Sequence, residues 1–108
     1  MNKYRAKKVS LDGYVFDSKS EARRYGELRL MQKANDIRNL EVHPKYILSV
    51  NGVVIARYIA DFVYFDPRNK KLVVEDVKSP ITAKLPAFIM KKKLVRAIYG
   101  IEVKEVRA

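Results

Sequence analysis

The sequence predicts a mixed α/β fold in which a central mixed sheet is flanked by two helices, in the order α-β-β-β-α-β. Two segments carry helix-forming residues with recognisable start or stop residues, and β-branched and aromatic segments lie between and after them. Hydrophobic residues make up 48% of the 108 residues, which is enough for one core in a chain of this length. We therefore predict a single domain over residues 1–108, of which residues 1–17 form an N-terminal hairpin or arm.

The first elements are a short hairpin and a helix. The turn dipeptide Asp12-Gly13 precedes an apolar run and predicts the hairpin. Ser18 and Glu21 then match the S-x-x-E capping box, which predicts a helix from about residue 19 to residue 34. Three residues of this helix share one face at i, i+4 and i+7, namely Glu21, Tyr25 and Leu28. A glutamate therefore begins the apolar stripe of the helix.

Three consecutive antiparallel strands are expected to follow the helix. Asn51-Gly52 lies between two apolar runs and predicts a hairpin, and the turn residues 66–69 close the second run. The three predicted strands cover residues 45–50, 53–65 and 71–78.

A second helix and a last strand complete the predicted sheet. Residues 82–99 have helical spacing, with Pro86 tolerable in the first turn and Gly100 as the stop. The predicted apolar stripe consists of Met90, Leu94, Ala97 and Ile98. Residues 101–106 alternate as a strand does, and we expect them to return parallel to the previous strand through a right-handed crossover.

Charge and composition narrow the classes of partner. The formal net charge of +11 predicts binding to a polyanion, nucleic acid first, because each cation placed on a phosphate releases a counterion. The absence of cysteine excludes disulfides, thiolate zinc sites and a cysteine nucleophile. We expect a cytoplasmic protein without a signal peptide, and no membrane association because the apolar runs are short.

Charged residues interrupt two of the predicted strands. Side chains two positions apart share a strand face, which places Asp61 on an apolar face of one strand and Asp76 with Lys78 on a face of the next. Glu75 is a rival for Asp76, but it lies on the opposite face. A buried carboxylate must be neutral, paired or bound to a cation, because burying it alone costs several kcal/mol.

Glu21, Asp61 and Asp76 would place three carboxylates beside the ammonium of Lys78. Carboxylate oxygens suit Mg²⁺ or Mn²⁺, and such an ion beside bound phosphates favours phosphodiester hydrolysis. Lys78 could orient or deprotonate the attacking water, or stabilise charge on the transition-state phosphate.

Structural interpretations of the same residues remain open at this point. Glu21 could serve only as the capping-box residue of its helix. Asp61 could form an ion pair with Arg57 or Lys78, and Asp76 with Lys78 could be an exposed edge-strand pair. His43 precedes a proline and is expected to be a loop or strand-start residue, not a ligand.

The order of these residues resembles the PD-(D/E)XK nuclease superfamily. Asp61 is separated by fourteen residues from Asp76-Val77-Lys78, and Ala60 stands where the superfamily name has proline. Four segments are similar to a short phage-encoded branch catalogued as a domain of unknown function, namely residues 16–25, 58–62, 74–78 and 92–95.

This resemblance implies a restriction-endonuclease-like fold and a Mg²⁺-dependent DNA endonuclease, for which Mn²⁺ would substitute. It implies that Asp61, Asp76 and the Val77 carbonyl bind the metal, that Glu21 completes the site and that Lys78 lies at the water. Small Holliday-junction resolvases of the superfamily further imply branched DNA as substrate and a homodimer.

Seven basic residues are candidates for binding the DNA backbone, with a solvated surface as the alternative: Lys7, Lys8, Arg23, Arg24, Lys91, Lys92 and Lys93. Two further hypotheses also account for the positive charge but do not require the protein to catalyse a reaction on its own. One is a non-catalytic nucleic-acid-binding protein, and the other is a nuclease subunit that requires a targeting partner.

Overall fold

The fold, in a computed structural model that describes residues 7–108, is mixed α/β, with two helices, a four-stranded mixed sheet and two small hairpins. Residues 1–6 of the predicted N-terminal arm lie outside the described residues. The strands and helices are β1 (Val9–Leu11), β2 (Tyr14–Phe16), α1 (Lys19–Lys33), β3 (Arg38–Val42), β4 (Lys45–Val50), β5 (Val53–Ile59), β6 (Phe62–Asp66), β7 (Lys71–Lys78), α2 (Pro86–Tyr99) and β8 (Val103–Arg107).

The main sheet has the strand order β3-β6-β7-β8. β6 is antiparallel to both β3 and β7, whereas β8 runs parallel to β7 with Val103 opposite Val74. The connection from β7 through α2 to β8 therefore joins two parallel neighbours, which confirms the predicted parallel return of the last strand.

The two faces of β7 contact different helices. Val74 belongs to a core cluster that includes Phe88 and Val95 of α2. Val73 and Val77 pack against the cluster that contains Tyr25 and other residues of α1. The alternation of side chains predicted for this strand is thus observed, and it determines which charged residue faces which helix.

Both turn dipeptides form as predicted. Asp12 and Gly13 connect β1 to β2 with φ of 53° and 81°, and Asn51 and Gly52 connect β4 to β5 with φ of 50° and 79°. Two successive positive φ angles define the type I′ turn that matches the twist of a hairpin.

The predicted strand over residues 53–65 is wrong as a single strand, because it breaks at Ala60-Asp61. The Ala60 N–H donates to the Pro44 carbonyl at 3.0 Å, and the Asp61 N–H donates to the Glu75 carbonyl at 3.1 Å. β5 before the break pairs with β4, whereas β6 after it pairs with β7 and with β3, a strand that the sequence did not predict.

As a result β4 and β5 form a two-stranded ribbon of their own, which we call the β4–β5 ribbon. Several of its apolar side chains are exposed, in contrast to the buried face that was predicted for this segment. The most exposed are Val53, Val54, Ile55 and Ile59, each at 50% or more.

The second helix begins four residues later than predicted. Residues 82–84 form a single 3-10 turn, and Pro86 is the first residue of α2, where its missing N–H costs no hydrogen bond. Phe88 and Val95 are its buried residues. Of the predicted stripe, Leu94 packs against the core, whereas Met90, Ala97 and Ile98 are exposed, so the stripe is confirmed at Leu94 alone. Gly100 ends the helix at φ 70°, as predicted.

Neither helix of residues 7–108 has the length and apolar character needed to cross a bilayer.

Candidate metal centre

Glu21 is a buried residue in the first turn of α1. Ser18 is the N-cap, and its Oγ accepts a hydrogen bond from the Glu21 N–H at 3.1 Å. One oxygen of the Glu21 carboxylate accepts from the Asp17 N–H at 3.3 Å, and the other lies 2.7 Å from His43 Nε2. The residue is only 5% exposed, so it caps the helix and also presents its carboxylate to the interior.

Asp61 lies at the break between β5 and β6. Its Oδ2 accepts a hydrogen bond from the Val77 N–H at 2.7 Å, which leaves Oδ1 for another partner. Among the ion pairs of residues 7–108, neither Arg57 nor Lys78 pairs with Asp61. The interpretation of Asp61 as half of a structural ion pair is therefore wrong for the described residues.

Asp76 and Lys78 extend from the same face of β7. Asp76 is 3% exposed and accepts a hydrogen bond from the hydroxyl of Tyr58. Lys78 Nζ lies 3.4 Å from Asp76 Oδ1 and 4.5 Å from the centroid of the Phe88 ring. Because β7 is an inner strand of the sheet, this pair is not the exposed edge-strand pair that was considered.

These groups line one cavity, which we call the acidic cavity. Its volume is about 410 Å³, and its walls include the residues Glu21, Asp61, Asp76, Val77 and Lys78. All four side chains that the sequence places at a candidate site, together with the Val77 backbone, therefore come together in the folded chain.

His43 lies in the loop between β3 and β4, as the sequence predicts, but the fold also brings it beside Glu21 and Asp61, which the sequence analysis did not predict. It connects β3 to β4 with φ 56°, an uncommon conformation for histidine, and its N–H donates to the Asp61 carbonyl at 2.9 Å. Glu21, His43 and Asp61 each offer one possible ligand atom, and these atoms lie within 4.8 Å of one another. A lone histidine before a proline has no spacing that indicates this position, since only the long-range fold brings it there.

The electrostatics of the acidic cavity disfavour three ionised carboxylates. Burial, then the charge of Asp76 and with a smaller effect that of Glu21, raises the pKa of Asp61 to about 8, against the lowering effect of the Val77 N–H. Burial and the neighbouring Asp76 also raise the pKa of the Tyr58 hydroxyl, which stays protonated as a donor. A cation in the cavity would relieve this repulsion.

Glu75, the rival of Asp76, has a different environment. Its carboxylate is fully buried on the α1 side of the sheet and accepts two hydrogen bonds from the Arg24 guanidinium, each at 2.8 Å. The hydroxyl of Tyr64 donates a third. Glu75 is thus neutralised by a structural ion pair, which agrees with the choice of Asp76 for the cavity.

The basic residues predicted to bind DNA fall into two groups. Lys7, Lys8, Arg23 and Lys93 are exposed, and Lys91 is half-buried. Arg24 is engaged by Glu75 and Glu27, and Lys92 by Glu105. For these last two residues the structure favours internal ion pairs over the predicted contacts with DNA, because their charges are already compensated.

The protein thus has a mixed α/β fold and a cavity lined by three carboxylates and a lysine, of which Asp76 and Lys78 lie at the end of the inner strand β7. The chain belongs to the family described as "Protein of unknown function (DUF1064)", whose model matches residues 1–107. No curated protein and no solved structure matches the chain in the corresponding comparisons.

Proposed function

We propose that this protein is a Mg²⁺-dependent DNA endonuclease with a restriction-endonuclease-like fold, of the PD-(D/E)XK superfamily. The observation that carries the proposal is the meeting of Glu21, Asp61, Asp76 and Lys78 in the acidic cavity. Lys78 compensates Asp76, but no lysine or arginine of residues 7–108 pairs with Glu21 or Asp61. Because buried carboxylates without compensating cations are costly, this cluster favours a functional role.

The donor set fits a divalent cation. Asp61, Asp76, the Val77 carbonyl and Glu21 supply hard oxygen ligands of the kind that Mg²⁺ and Mn²⁺ prefer. Asp61 keeps Oδ1 available while the Val77 N–H fixes Oδ2. His43 Nε2 lies beside Glu21 and adds a nitrogen donor, which Mn²⁺ accepts more readily than Mg²⁺.

The chemistry divides between the ion and the chain. A bound divalent ion would polarise the phosphoryl oxygen and lower the pKa of a water molecule. Lys78 then either orients or deprotonates the attacking water or stabilises the charge that develops on the phosphate. Asp76 holds the Lys78 ammonium at 3.4 Å and so directs it to the cavity.

The substrate class follows from charge, size and resemblance. The net charge of +11 favours a polyanion, and a chain of 108 residues leaves little surface for reading bases. Recognition through backbone and shape therefore suits this protein, and by resemblance to small resolvases we propose branched DNA as the substrate. Cutting both strands would require a homodimer.

The test compares cleavage of a supercoiled plasmid and a synthetic four-way junction by the wild type and by Asp76→Asn. Asp36→Asn, which changes an exposed acid after α1, is the matched control. We expect cleavage in Mg²⁺ or Mn²⁺ that EDTA abolishes, and a loss of about 100-fold or more in Asp76→Asn alone.

Other outcomes contradict the proposal in distinct ways. Tight binding of DNA with no product in either metal would indicate the non-catalytic binding protein. Cleavage that appears only in lysate fractions containing a second protein would indicate the subunit of a larger nuclease. Equal cleavage by Asp76→Asn and the wild type would exclude the acidic cavity as the site.

A further inference from the structure

We propose that a second cavity, which shares Asp76 and Lys78 with the acidic cavity, binds the phosphate next to the one that is cleaved. This inference rests on the proposed function and deepens it by naming how the strand is held. The cavity measures about 350 Å³, within the range of ligand sites, and we call it the flanking cavity. Its walls include Arg57, Asp76, Lys78, Phe88 and Lys91.

The two cavities share a wall. Asp76 and Lys78 line both of them. Lys78 lies across the Phe88 ring, with Nζ at 4.5 Å from the ring centroid, so its ammonium is held at the boundary. A phosphate at the acidic cavity and one in the flanking cavity would therefore both lie beside Lys78.

The charge of the flanking cavity suits an anion. Arg57 comes from β5, Lys78 from β7 and Lys91 from α2, so three separate elements each contribute a cation. Within residues 7–108 neither Arg57 nor Lys91 forms an ion pair with a carboxylate, in contrast to Arg24 and Lys92. The acid of this cavity, Asp76, already accepts from Tyr58 and pairs with Lys78.

The first turn of α2 adds to this field. Ala87 and Phe88 line the cavity, the helix has no acidic residue in its first turn, and no side chain caps it. The positive end of the helix dipole therefore adds to Arg57 and Lys91, the two cations of this cavity that no carboxylate of residues 7–108 pairs with.

The two phosphates belong to one continuous DNA strand, so binding one of them in the flanking cavity would help to place the other in the acidic cavity. Arg57 and Lys91 would act as positioning residues, because they hold a phosphate that does not react and so fix the one that does. The preferred substrate would then be a DNA strand with a further phosphate next to the cleaved one, placed so that it can occupy the flanking cavity beside Arg57. A small diester that carries only one phosphate would reach the acidic cavity and gain nothing from the flanking one.

The experiment compares the wild type with Arg57→Gln/Lys91→Gln on two substrates, an oligonucleotide junction and bis(p-nitrophenyl) phosphate. The matched control is Arg68→Gln/Lys70→Gln, which removes the same charge at the β6–β7 turn, the opposite end of β7 from Lys78. We expect the ratio of kcat/KM for DNA to kcat/KM for the small diester to fall by about 100-fold in the first variant and to stay within about twofold in the control.

Binding of the oligonucleotide in EDTA gives the readout that does not depend on catalysis. The slope of log Kd against log salt should decrease by about one for Arg57→Gln/Lys91→Gln, because the single phosphate held in the flanking cavity is no longer neutralised. The inference is overturned if this variant shows the salt slope and the kcat/KM ratio of the control. If the wild type hydrolyses neither substrate, the proposed function fails, and the salt slope alone decides whether the flanking cavity binds a phosphate.

Discussion

Glu75 and Asp76 are neighbours in sequence, and their carboxylates meet opposite sides of the sheet. Glu75 is held by Arg24 and Tyr64 on the α1 side, whereas Asp76 meets Tyr58 and Lys78 on the other side. One strand therefore carries a structural acid and a candidate functional acid at adjacent positions. The difference between them lies in whether a guanidinium compensates the charge.

The Arg24–Glu75 pair should dominate stability on the α1 side. Removal of one partner of a buried ion pair leaves an uncompensated charge, so we expect Arg24→Met to lower the free energy of unfolding by about 3–5 kcal/mol. Arg23→Met, at the exposed neighbouring position, should change it by less than about 0.5 kcal/mol. Urea unfolding followed by circular dichroism measures the free energy of unfolding of both variants. Equal effects of Arg24→Met and Arg23→Met would contradict a stabilising role of the Arg24–Glu75 pair.

Asp61 should make the metal-free protein less stable at alkaline pH. Its pKa is about 8 in the folded chain against 3.8 for an ordinary aspartate, so in this window the folded state retains a proton that the unfolded state has lost. Stability due to this group therefore falls as the pH rises from about 4 to about 8.

Thermal unfolding between pH 5 and pH 9 in EDTA tests this prediction. Asp61→Asn should flatten the decline in Tm, because the amide does not titrate. Mn²⁺ should raise the Tm of the wild type more at pH 8 than at pH 5, since the ion binds the ionised carboxylate. An unchanged pH profile in Asp61→Asn would show that another group is responsible.

At the scale of elements, the two chain reversals, the start of α1 and the end of α2 were the features that local sequence could predict, whereas the start of α2 was not. Asp12-Gly13 and Asn51-Gly52 form turns because their residues tolerate positive φ, and Ser18 begins α1 because its hydroxyl accepts an otherwise unpaired N–H. The parity of β7 followed from strand geometry alone.

The elements that the sequence failed to predict depend on distant partners. The break at Ala60-Asp61 has no glycine or proline, and its hydrogen bonds go to Pro44 and to Glu75, which are remote in sequence. His43 comes beside Glu21 and Asp61 through the same long-range arrangement. The meeting of the four charged residues in one cavity was therefore predictable from strand faces and a helix stripe, whereas the approach of His43 to Glu21 was not.

Two glycines at helix positions should respond in opposite directions to alanine. Gly26 lies inside α1 with ordinary φ, and a methyl group added to its Cα would meet no atom within 4 Å, so Gly26→Ala should stabilise the protein by about 0.5–1 kcal/mol. Gly100 ends α2 at φ 70°, so Gly100→Ala should destabilise it by about 1 kcal/mol. Chemical denaturation of both variants checks the pair, and a gain in stability at Gly100 would contradict the left-handed cap.

At the scale of the whole molecule, acidic and basic side chains are distributed unevenly. Acids are concentrated at the acidic cavity and in internal ion pairs with Arg24 and Lys92, whereas many of the cations lie on the surface. In the proposed function, the surface as a whole would attract a polyanion, and the acidic cavity within it would attract a divalent ion. Both attractions are needed for a metal-dependent reaction on a phosphodiester.

The β4–β5 ribbon gives this charge a second, colloidal consequence. Its two strands pair only with each other in the described part of the chain, and several of its valine and isoleucine side chains face solvent. An exposed apolar ribbon with unpaired edges favours association between molecules. At low ionic strength the electrostatic repulsion between positively charged copies opposes this association. Added electrolyte shortens the reach of that repulsion, so concentrated stocks should cloud as salt is raised and clear again on dialysis.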